Sequence, residues 1–317
     1  MVRVVLIGLS LVITSCGSSS RLAKARCTLG ASTGPGTELI SPRRNTFYSV
    51  DALNPDVVAF KGSYLMYFSG NNQPTANGNW RTGVAIARSP TGPFRIQATF
   101  QGNYLNGGTA VWRGQLWHAV ELNPNFRGEL ASSSDGIHWR HESYVPAFTR
   151  RGRRYTGADF FLEADGKRLE VYMLAVPSTG GIGRSLAVAS YSNGRWTKPR
   201  IILDVASFAT ISWARADLGE PAAFHAGGQH YLLFVGLSRD LTRSIGLARQ
   251  DNGAWVSCSS TRALPNDAPW GGASSIDPSP LVLRDRLYLY YGGTRTKGLA
   301  ADLGGSIGVR VFVLHAT

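Results

Sequence analysis

The sequence is poor in cysteine, histidine and acidic residues, on which metal and redox proteins usually depend. Its 317 residues include three cysteines and six histidines, and its 20 acidic side chains are outnumbered by 33 basic ones. The histidines are scattered, and no His-x-x-x-His or paired-cysteine motif occurs, so the sequence predicts no metal centre. No nucleic-acid recognition motif accompanies the net charge of +13. No long helical period follows the N-terminus, which argues against a helical fold.

What the sequence contains instead is a repeat. A short apolar segment, a tight turn and a second apolar run occur five times, with a period of about 50 to 60 residues. The five copies begin near Asn54 (NPDVVAFKGSYLMYFSG), Asn106 (NGGTAVWRGQLWHAVE), Gly157 (GADFFLEADGKRLEVYMLAV), Gly219 (GEPAAFHAGGQHYLLFVG) and Asp277 (DPSPLVLRDRLYLYYGG). Apolar runs around a tight turn predict a pair of antiparallel strands in each copy.

Two further strands follow in each of the first four copies. Their turns, SPTGP, SSDG, SNG and DNG, have hairpin chemistry, and an aromatic residue comes after each. The predicted fold is therefore all-β: a five-bladed β-propeller of four-stranded antiparallel blades. The last copy lacks its fourth strand, and we expect a segment between Cys27 and Ile40 to supply it and close the ring.

The N-terminus has the features of an export signal. Arg3 precedes an apolar run, Val4 to Ile13, that is too short to span a bilayer, and Cys16 follows it with a Gly-Ser-Ser-Ser linker. This pattern resembles a bacterial lipoprotein signal with Cys16 as the lipid-modified residue; an ordinary signal peptide or a membrane anchor is the alternative. We expect a signal peptide over 1–15, a linker and N-terminal segment over 16–35, and the propeller over 36–317. The protein would then be exported and anchored to the cell envelope.

The two remaining cysteines are Cys27 and Cys258. Disulfide bonds persist in exported proteins. We therefore expect a bridge that ties the N-terminal segment to the end of the fourth repeat, with two unrelated buried thiols as the alternative.

Propeller geometry places the entrances of all inner strands on one face of the molecule. We expect five groups of residues to converge there on one central pocket: Asn54 to Asp56, Asn106 to Thr109, Gly157 to Asp159, Glu220 and Asp277. The alternative is that these acids cap strands or bond the backbone of a neighbouring blade.

The repeat count and the acids at strand starts resemble the five-bladed glycosidases of glycoside hydrolase family 43 and its clan, the arabinanase and β-xylosidase type. In that family an Asp on the first blade is the general base, a later Asp tunes the pKa of the acid, and a Glu before a proline-containing strand is the general acid. The resemblance implies that Glu220 in GEPAAF is the acid, Asp159 the tuning residue and Asp56 in NPDVV the base.

The first blade departs from the family pattern. The family motif usually begins Asp-Pro, whereas this sequence has Asn54-Pro55. Asp56 is two residues further along, on the same face of the strand and about 6 to 7 Å deeper. Loss of the base, or its supply by Asp51, is the alternative.

Counting back from the glycine turns aligns the five copies with one another. The count places Glu220 and Asp277 at one level, but in the third copy it places Gly157 there and Asp159 deeper. Asp56 and Asp159 are thus predicted to be displaced in the same sense, as a pair.

The loops that join second and third strands carry basic residues in every copy. They are Arg81, Arg127, Arg184, Arg239, Arg243, Arg295 and Lys297. Arginine forks bind carboxylate, sulfate or phosphate, and a cationic rim concentrates anionic ligands. We therefore expect a glycan that carries negative charge; a solvated basic surface, or attraction to an anionic envelope, is the alternative.

Three other side chains are candidates for substrate contact. Trp80 could stack on a sugar ring or anchor its loop. His118 and Glu121 end a strand of the second blade, and a structural role is the leading interpretation of His118.

Together these features predict a glycoside hydrolase that acts on a carbohydrate by inversion. The alternatives are a non-catalytic carbohydrate-binding propeller and a sialidase-like enzyme, the latter because SSDGIHW resembles an Asp box. We expect no cofactor, although a structural cation on the propeller axis is left open. We also expect a monomer with no nucleic-acid partner, which contacts the membrane through its lipid anchor only. The predicted substrate-binding residues are Asn54, Trp80, Arg81, His118, Glu121, Arg184, Arg243, Asp277 and Arg295.

Overall fold

The structure, a computed structural model, describes residues 28–74, 80–100, 104–122, 127–258, 262–298 and 303–314. The regular secondary structure of the described residues is β-strand, apart from one short 3-10 helix, Val205–Phe208. The strands are β1 (Ala31–Ser32), β2 (Thr37–Ile40), β3 (Asp51–Phe60), β4 (Ser63–Asn71), β5 (Arg81–Ala87), β6 (Arg95–Phe100), β7 (Tyr104–Trp112), β8 (Gln115–Leu122), β9 (Arg127–Ser133), β10 (Arg140–Val145), β11 (Phe148–Arg150), β12 (Arg153–Ala164), β13 (Leu169–Pro177), β14 (Ser185–Ser192), β15 (Arg195–Trp196), β16 (Arg200–Leu203), β17 (Asp217–Ala226), β18 (Gln229–Leu237), β19 (Arg243–Asp251), β20 (Ala254–Ser257), β21 (Ser274–Leu283), β22 (Arg286–Thr294) and β23 (Ser306–Val313). Within these ranges no helix is long and apolar enough to cross a membrane.

The strands form five antiparallel sheets. The first sheet is β3–β6, the second β7–β10, the third β11–β16 and the fourth β17–β20. The fifth sheet consists of β21–β23 together with β1 and β2. Consecutive strands pair within β3–β6, β7–β10, β11–β15, β17–β20 and β21–β23, because short turns return the chain beside itself, whereas β16 pairs with β14. The prediction of an all-β propeller is confirmed.

The innermost strands surround one axis. In chain order β3, β7, β12, β17 and β21 contact one another, and β21 contacts β3 again. Two N-terminal strands join the fifth sheet: β1 pairs with the end of β23, and β2 pairs with its beginning. The N-terminal segment therefore lies beside the C-terminal strand.

The hydrophobic core lies between neighbouring sheets. Met66 and Phe68 of the first sheet, for example, pack against Tyr290 and Ile307 of the fifth. Most inner and middle strands bury both faces in this way, so their apolar residues run almost without interruption. Such layers hold the inner strands, and hence the side chains at their entrances, in fixed positions.

Each inner strand is irregular at its entrance. The register shifts lie between Leu53 and Asp56, Leu105 and Gly108, Thr156 and Phe161, Gly219 and Ala222, and Ile276 and Ser279. A bulge bends the strand and redirects the side chain that it contains. Four of these bulges contain a non-glycine residue in the left-handed region: Asn54 (φ 53°), Asp159 (φ 57°), Glu220 (φ 51°) and Asp277 (φ 53°).

This common backbone position corrects the predicted alignment of the third repeat. Asp159, and not Gly157, occupies the position equivalent to Glu220 and Asp277. In β12 the paired segment between the bulge and the turn has four residues, 161–164, whereas the corresponding segment of each other inner strand has five. Counting back from the turn therefore gave the wrong register, and the predicted joint displacement of Asp56 and Asp159 is wrong.

Candidate active site

The bulged entrances of the inner strands meet at one pocket on the propeller axis. It contains about 350 Å³ of space that protein atoms do not fill. Its lining residues come from all five sheets: Asn54, Pro55, Asp56, Gly107, Asp159, Phe160, Phe161, Glu220, Pro221, Asp277, Pro278 and Ser279. Four carboxylates thus share one small pocket, as the sequence predicted.

Two of these carboxylates also bond the backbone of the next sheet. The Asp277 N–H donates to Oε2 of Glu220 over 2.7 Å, and the Asn54 N–H donates to Oδ2 of Asp277 over 2.9 Å. The structural alternative considered for the acids is therefore present at Glu220 and Asp277. The left-handed backbone is easy for Asn and Asp but unusual for Glu, so Glu220 is held in a strained conformation.

Burial and like charge favour the protonated form of the carboxyl groups at the centre of the pocket. Burial, and then the negative charge of Asp159, raises the pKa of Glu220, although Nη1 of Arg243 lies 4.0 Å from its Oε1. Burial, and then the charge of Glu220, raises the pKa of Asp277 well above its usual range. A carboxylic acid that keeps its proton near neutral pH is what a general acid requires.

Asp56 lies deeper in the same pocket and is 5% exposed. Burial raises the pKa of Asp56 to about 7. Hydrogen bonds from the hydroxyl and the backbone N–H of Thr109 to the carboxylate oppose this shift, because they stabilise the charged form. Its Oδ2 atom is buried and has no hydrogen-bond partner among the described residues. A carboxyl group with a pKa near 7 and one unused oxygen can accept a proton from water at neutral pH.

His118 lies directly behind the pocket wall. Its Nδ1 is 2.6 Å from the Thr109 hydroxyl, and its ring packs against Tyr67 and Trp139. A Cβ atom on the pocket residue Gly107 would lie 2.5 Å from Nε2 of His118, so the glycine is required for this packing. Burial lowers the pKa of His118 to about 3, which keeps the ring neutral in a structural environment.

Arg184 connects two acids, one of which the sequence analysis missed. Its Nε lies 2.5 Å from Oδ2 of Asp217, and its Nη1 lies 3.9 Å from Oδ2 of Asp159. Asp217 also accepts the backbone N–H groups of Gly183 and Arg184. Burial lowers the pKa of Arg184, but the charges of Asp217 and Asp159 outweigh that effect and raise it. Asp217 opens β17 three residues before Glu220, and that proximity was the only signal for it in the sequence.

The predicted cationic rim is partly neutralised. Arg184 and Arg243 lie beside carboxylates of the site, and Arg243 also donates to the Gly298 carbonyl over 2.9 Å. Lys297 pairs with Asp240 at 2.7 Å. Arg295 is exposed. The inner arginines therefore serve the acids of the site, whatever else they bind.

Other predicted residues lie outside the pocket lining. Trp80 is half-buried and packs against a core cluster of the fourth and fifth sheets, as expected of a loop anchor. Arg81 opens β5 and is half-buried. Asp51 is fully buried, where it accepts the N–H groups of Leu303 and Gly305, so it holds backbone and does not reach into the pocket.

Three predictions fall wholly or partly outside the described residues. The structure does not describe the side chain of Glu121 or the lipidation candidate Cys16. Cys258 is buried and disulfide-bonded, whereas its predicted partner Cys27 lies outside the described ranges.

No protein-family model and no curated protein matches this chain. Solved structures do. An α-L-arabinofuranosidase from Podospora anserina, solved with cellotriose, is 12% identical, with a TM-score of 0.66 over 92% of this chain and 100% of that one. A thermostable family-43 glycoside hydrolase is 14% identical, with a TM-score of 0.60 over 84% and 93%. A β-1,2-mannobiose phosphorylase from Listeria innocua, solved with β-1,2-mannobiose, is 11% identical, with a TM-score of 0.66 over 89% and 95%. At these identities the likeness shows the fold, and the predicted resemblance to the family-43 propeller glycosidases is confirmed at that level.

Proposed function

We propose that this protein is a glycoside hydrolase that cleaves a glycosidic bond in its central pocket. The observation that carries the proposal is Glu220, a buried carboxyl group with a raised pKa that shares the pocket with Asp56, Asp159 and Asp277. Glycoside hydrolysis needs one protonated and one ionised carboxyl group across the scissile bond. The solved structures with the same fold include enzymes of this class, which supports the proposal.

In the proposed inverting reaction, Glu220 gives its proton to the oxygen of the leaving sugar. Asp56 takes a proton from water as that water attacks the anomeric carbon from the opposite face. Asp159 raises the pKa of Glu220 through its negative charge, and Asn54 and Asp277 contact the sugar. We expect the reacting oxygens of Asp56 and Glu220 to be roughly 6.5 to 9.5 Å apart in the substrate complex.

Leaving-group dependence tests the acid. Glu220→Gln retains an oxygen for the Asp277 N–H but has no proton to transfer, so turnover on a poor leaving group should fall by about 10² to 10⁴. The loss should be smaller on an activated aryl glycoside, and substrate binding should survive. Glu129→Gln, which changes a partly buried glutamate outside the pocket, is the matched control. Equal losses on good and poor leaving groups would show that Glu220 is not the acid.

A second function, carbohydrate binding without catalysis, is favoured by one observation: Asn54 occupies the bulge position where the family pattern has its base. Asn54→Asp distinguishes the two, because Asp also tolerates the left-handed backbone. If Asp56 is the base, Asn54→Asp should not increase hydrolysis, and Asp56→Asn should abolish it on good and poor leaving groups alike. If the Asn54→Asp variant hydrolyses glycosides and the unchanged chain does not, the unchanged chain binds carbohydrate without catalysis. The sialidase-like alternative has less support, because Asp135 of its motif caps a turn that does not line the central pocket.

Several finer features remain part of the proposal. We propose five blades, with Thr37–Ile40 as the outer strand of the last, an anionic glycan as substrate, and a monomer. Export and lipid anchoring at Cys16 rest on the N-terminal sequence alone. Release of Cys16→Ala from the membrane fraction would support the anchor, and unchanged fractionation would refute it.

A further inference from the structure

Two histidines and one glutamate form a cluster between the third and fourth sheets. Glu163 is the penultimate residue of β12, and His225 is the penultimate residue of β17. His230 lies opposite His225 in the register of the hairpin. Since His225 is five residues beyond Glu220, it lies roughly 16 Å further along the extended strand. The cluster is therefore separate from the candidate active site.

The three side chains are arranged around one carboxylate. Nε2 of His230 lies 2.8 Å from Oε2 of Glu163, and Nε2 of His225 lies 3.3 Å from Oε1. The two imidazole rings are stacked, with centroids 4.0 Å apart and planes 12° from parallel. One ligand atom from each residue lies within 4.8 Å of the other two. The ligands of a tetrahedral Zn²⁺ at bond lengths of 2.0–2.1 Å are about 3.4 Å apart. The exposed His225 ring must turn out of its stacked position for both Nε2 atoms to reach one ion.

We propose that Glu163, His225 and His230 bind a divalent transition-metal ion, with Zn²⁺ as the ion that suits them best. Imidazole nitrogens select ions of this kind over calcium or magnesium, and two imidazoles with one carboxylate are a recurrent zinc ligand set. In the metal-bound form each ring carries its proton on Nδ1 and presents the lone pair of Nε2. The carboxylate supplies the third ligand atom, and water takes the fourth position.

The surroundings of the cluster support this assignment. The Tyr172 hydroxyl donates to Oε2 of Glu163 over 3.0 Å, an outer contact of the kind that orients a ligating carboxylate. His230 packs edge-on against Trp255, which restricts its ring. The His225 side chain is 63% exposed, whereas those of Glu163 and His230 are 13% and 15% exposed. The site is thus preformed on its buried side and open to an ion from solvent.

A metal ion here would add a link between the third and fourth sheets, which already meet through apolar packing and the pair of Arg184 with Asp217. Glu163 belongs to the third sheet, and both histidines belong to one hairpin of the fourth. An ion that binds the folded chain stabilises it by mass action. We therefore expect a structural ion that clamps the sheets and leaves the reaction in the pocket unchanged.

Zinc binding to tag-free protein tests the proposal. Titration calorimetry, with elemental analysis after dialysis, should find one Zn²⁺ per chain, and the melting temperature should rise with Zn²⁺ but not with Ca²⁺, which prefers oxygen ligands. Co²⁺ should give the visible spectrum of a tetrahedral nitrogen and oxygen site. His225→Gln changes an exposed side chain, so the fold should persist while zinc affinity falls at least tenfold.

The matched control is His141→Gln. His141 also pairs with a single glutamate, at 2.7 Å from Glu129, but among the described residues it belongs to no cluster of three ligand atoms, so zinc binding should be retained. Absence of bound zinc, or equal binding by the unchanged chain and His225→Gln, would overturn the proposal and leave the cluster as a hydrogen-bonded contact. Because the readout is metal content, this outcome is independent of glycosidase activity.

Discussion

Asp56→Asn is expected to remove turnover. Its unfolding free energy, compared with that of the unchanged chain, is expected to increase as pH rises. Asp56 is 5% exposed, and its Oδ2 is buried without a partner. Ionising such a carboxyl group in the folded chain is unfavourable, because the charge loses water and gains only the contacts with Thr109. An asparagine at this position can still accept a hydrogen bond from Thr109, and it never ionises.

The magnitude follows from the pKa of Asp56, which rises from 3.8 to about 7 on folding. A folded-state pKa above the unfolded value contributes stability that is fully present below pH 3.8 and is lost as pH rises through about 7. The complete effect is roughly 4 kcal/mol, of which about 2 to 3 kcal/mol falls between pH 5 and pH 8. The unfolding free energy of the variant minus that of the unchanged chain should therefore increase by that amount over this interval.

Urea unfolding of both proteins at pH 5, 6, 7 and 8 measures this difference, provided that the m-values agree. Other buried titrating groups, among them Glu220 and His118, are present in both proteins and largely cancel. Asp285→Asn, which removes a carboxyl group from an exposed turn outside the pocket, is the control. A flat difference for Asp56→Asn would mean that Asp56 is ionised throughout, which would refute the reasoning from burial.

The remaining predictions concern the acid, its neighbours and the disulfide bond. Asp159→Asn removes a negative charge that raises the pKa of Glu220, so the alkaline limb of the pH profile of kcat/KM should move to lower pH; an unmoved limb would contradict the coupling. Arg184→Ala leaves the buried carboxylate of Asp217 without its cation and should lower the unfolding free energy by about 3 kcal/mol; a urea titration that shows less than about 0.5 kcal/mol would contradict the pairing. Replacing Cys258 by serine should cost about 2 to 4 kcal/mol, and non-reducing peptide mapping of the unchanged chain should identify its partner.

The repeats, the strands and the acids at strand entrances could be predicted from the sequence. These features are local, because apolar alternation and turn residues act on neighbours in the chain. The place of Glu220 at the entrance of an inner strand followed from the same pattern, and the structure has Glu220 and Pro221 in the pocket lining. The register of Asp159 was lost because the paired segment between its bulge and the hairpin turn is one residue shorter than in the other inner strands, and composition does not determine that length.

The contacts between sheets could not be predicted in the same way. A histidine on each side of a two-residue turn can be read as a cross-strand pair, as at His225 and His230, but nothing local indicates that Glu163 of another sheet meets them. The pairing of Arg184 with Asp217 is hidden for the same reason. Such contacts depend on which strands become neighbours around the axis, and that is a property of the packed ring.

By itself the sequence determined that the chain forms sheets of short antiparallel strands and that acidic residues stand at strand entrances, because alternation, turns and spacing are local properties. Only the tertiary structure decided which of those acids share a pocket and which of them bond a neighbouring backbone. It also decided their protonation, since Asp56 and Glu220 have raised pKa values through burial and, at Glu220, through the charge of another strand. Desolvation and charge coupling act through space, so they exist only once the sheets have packed against one another.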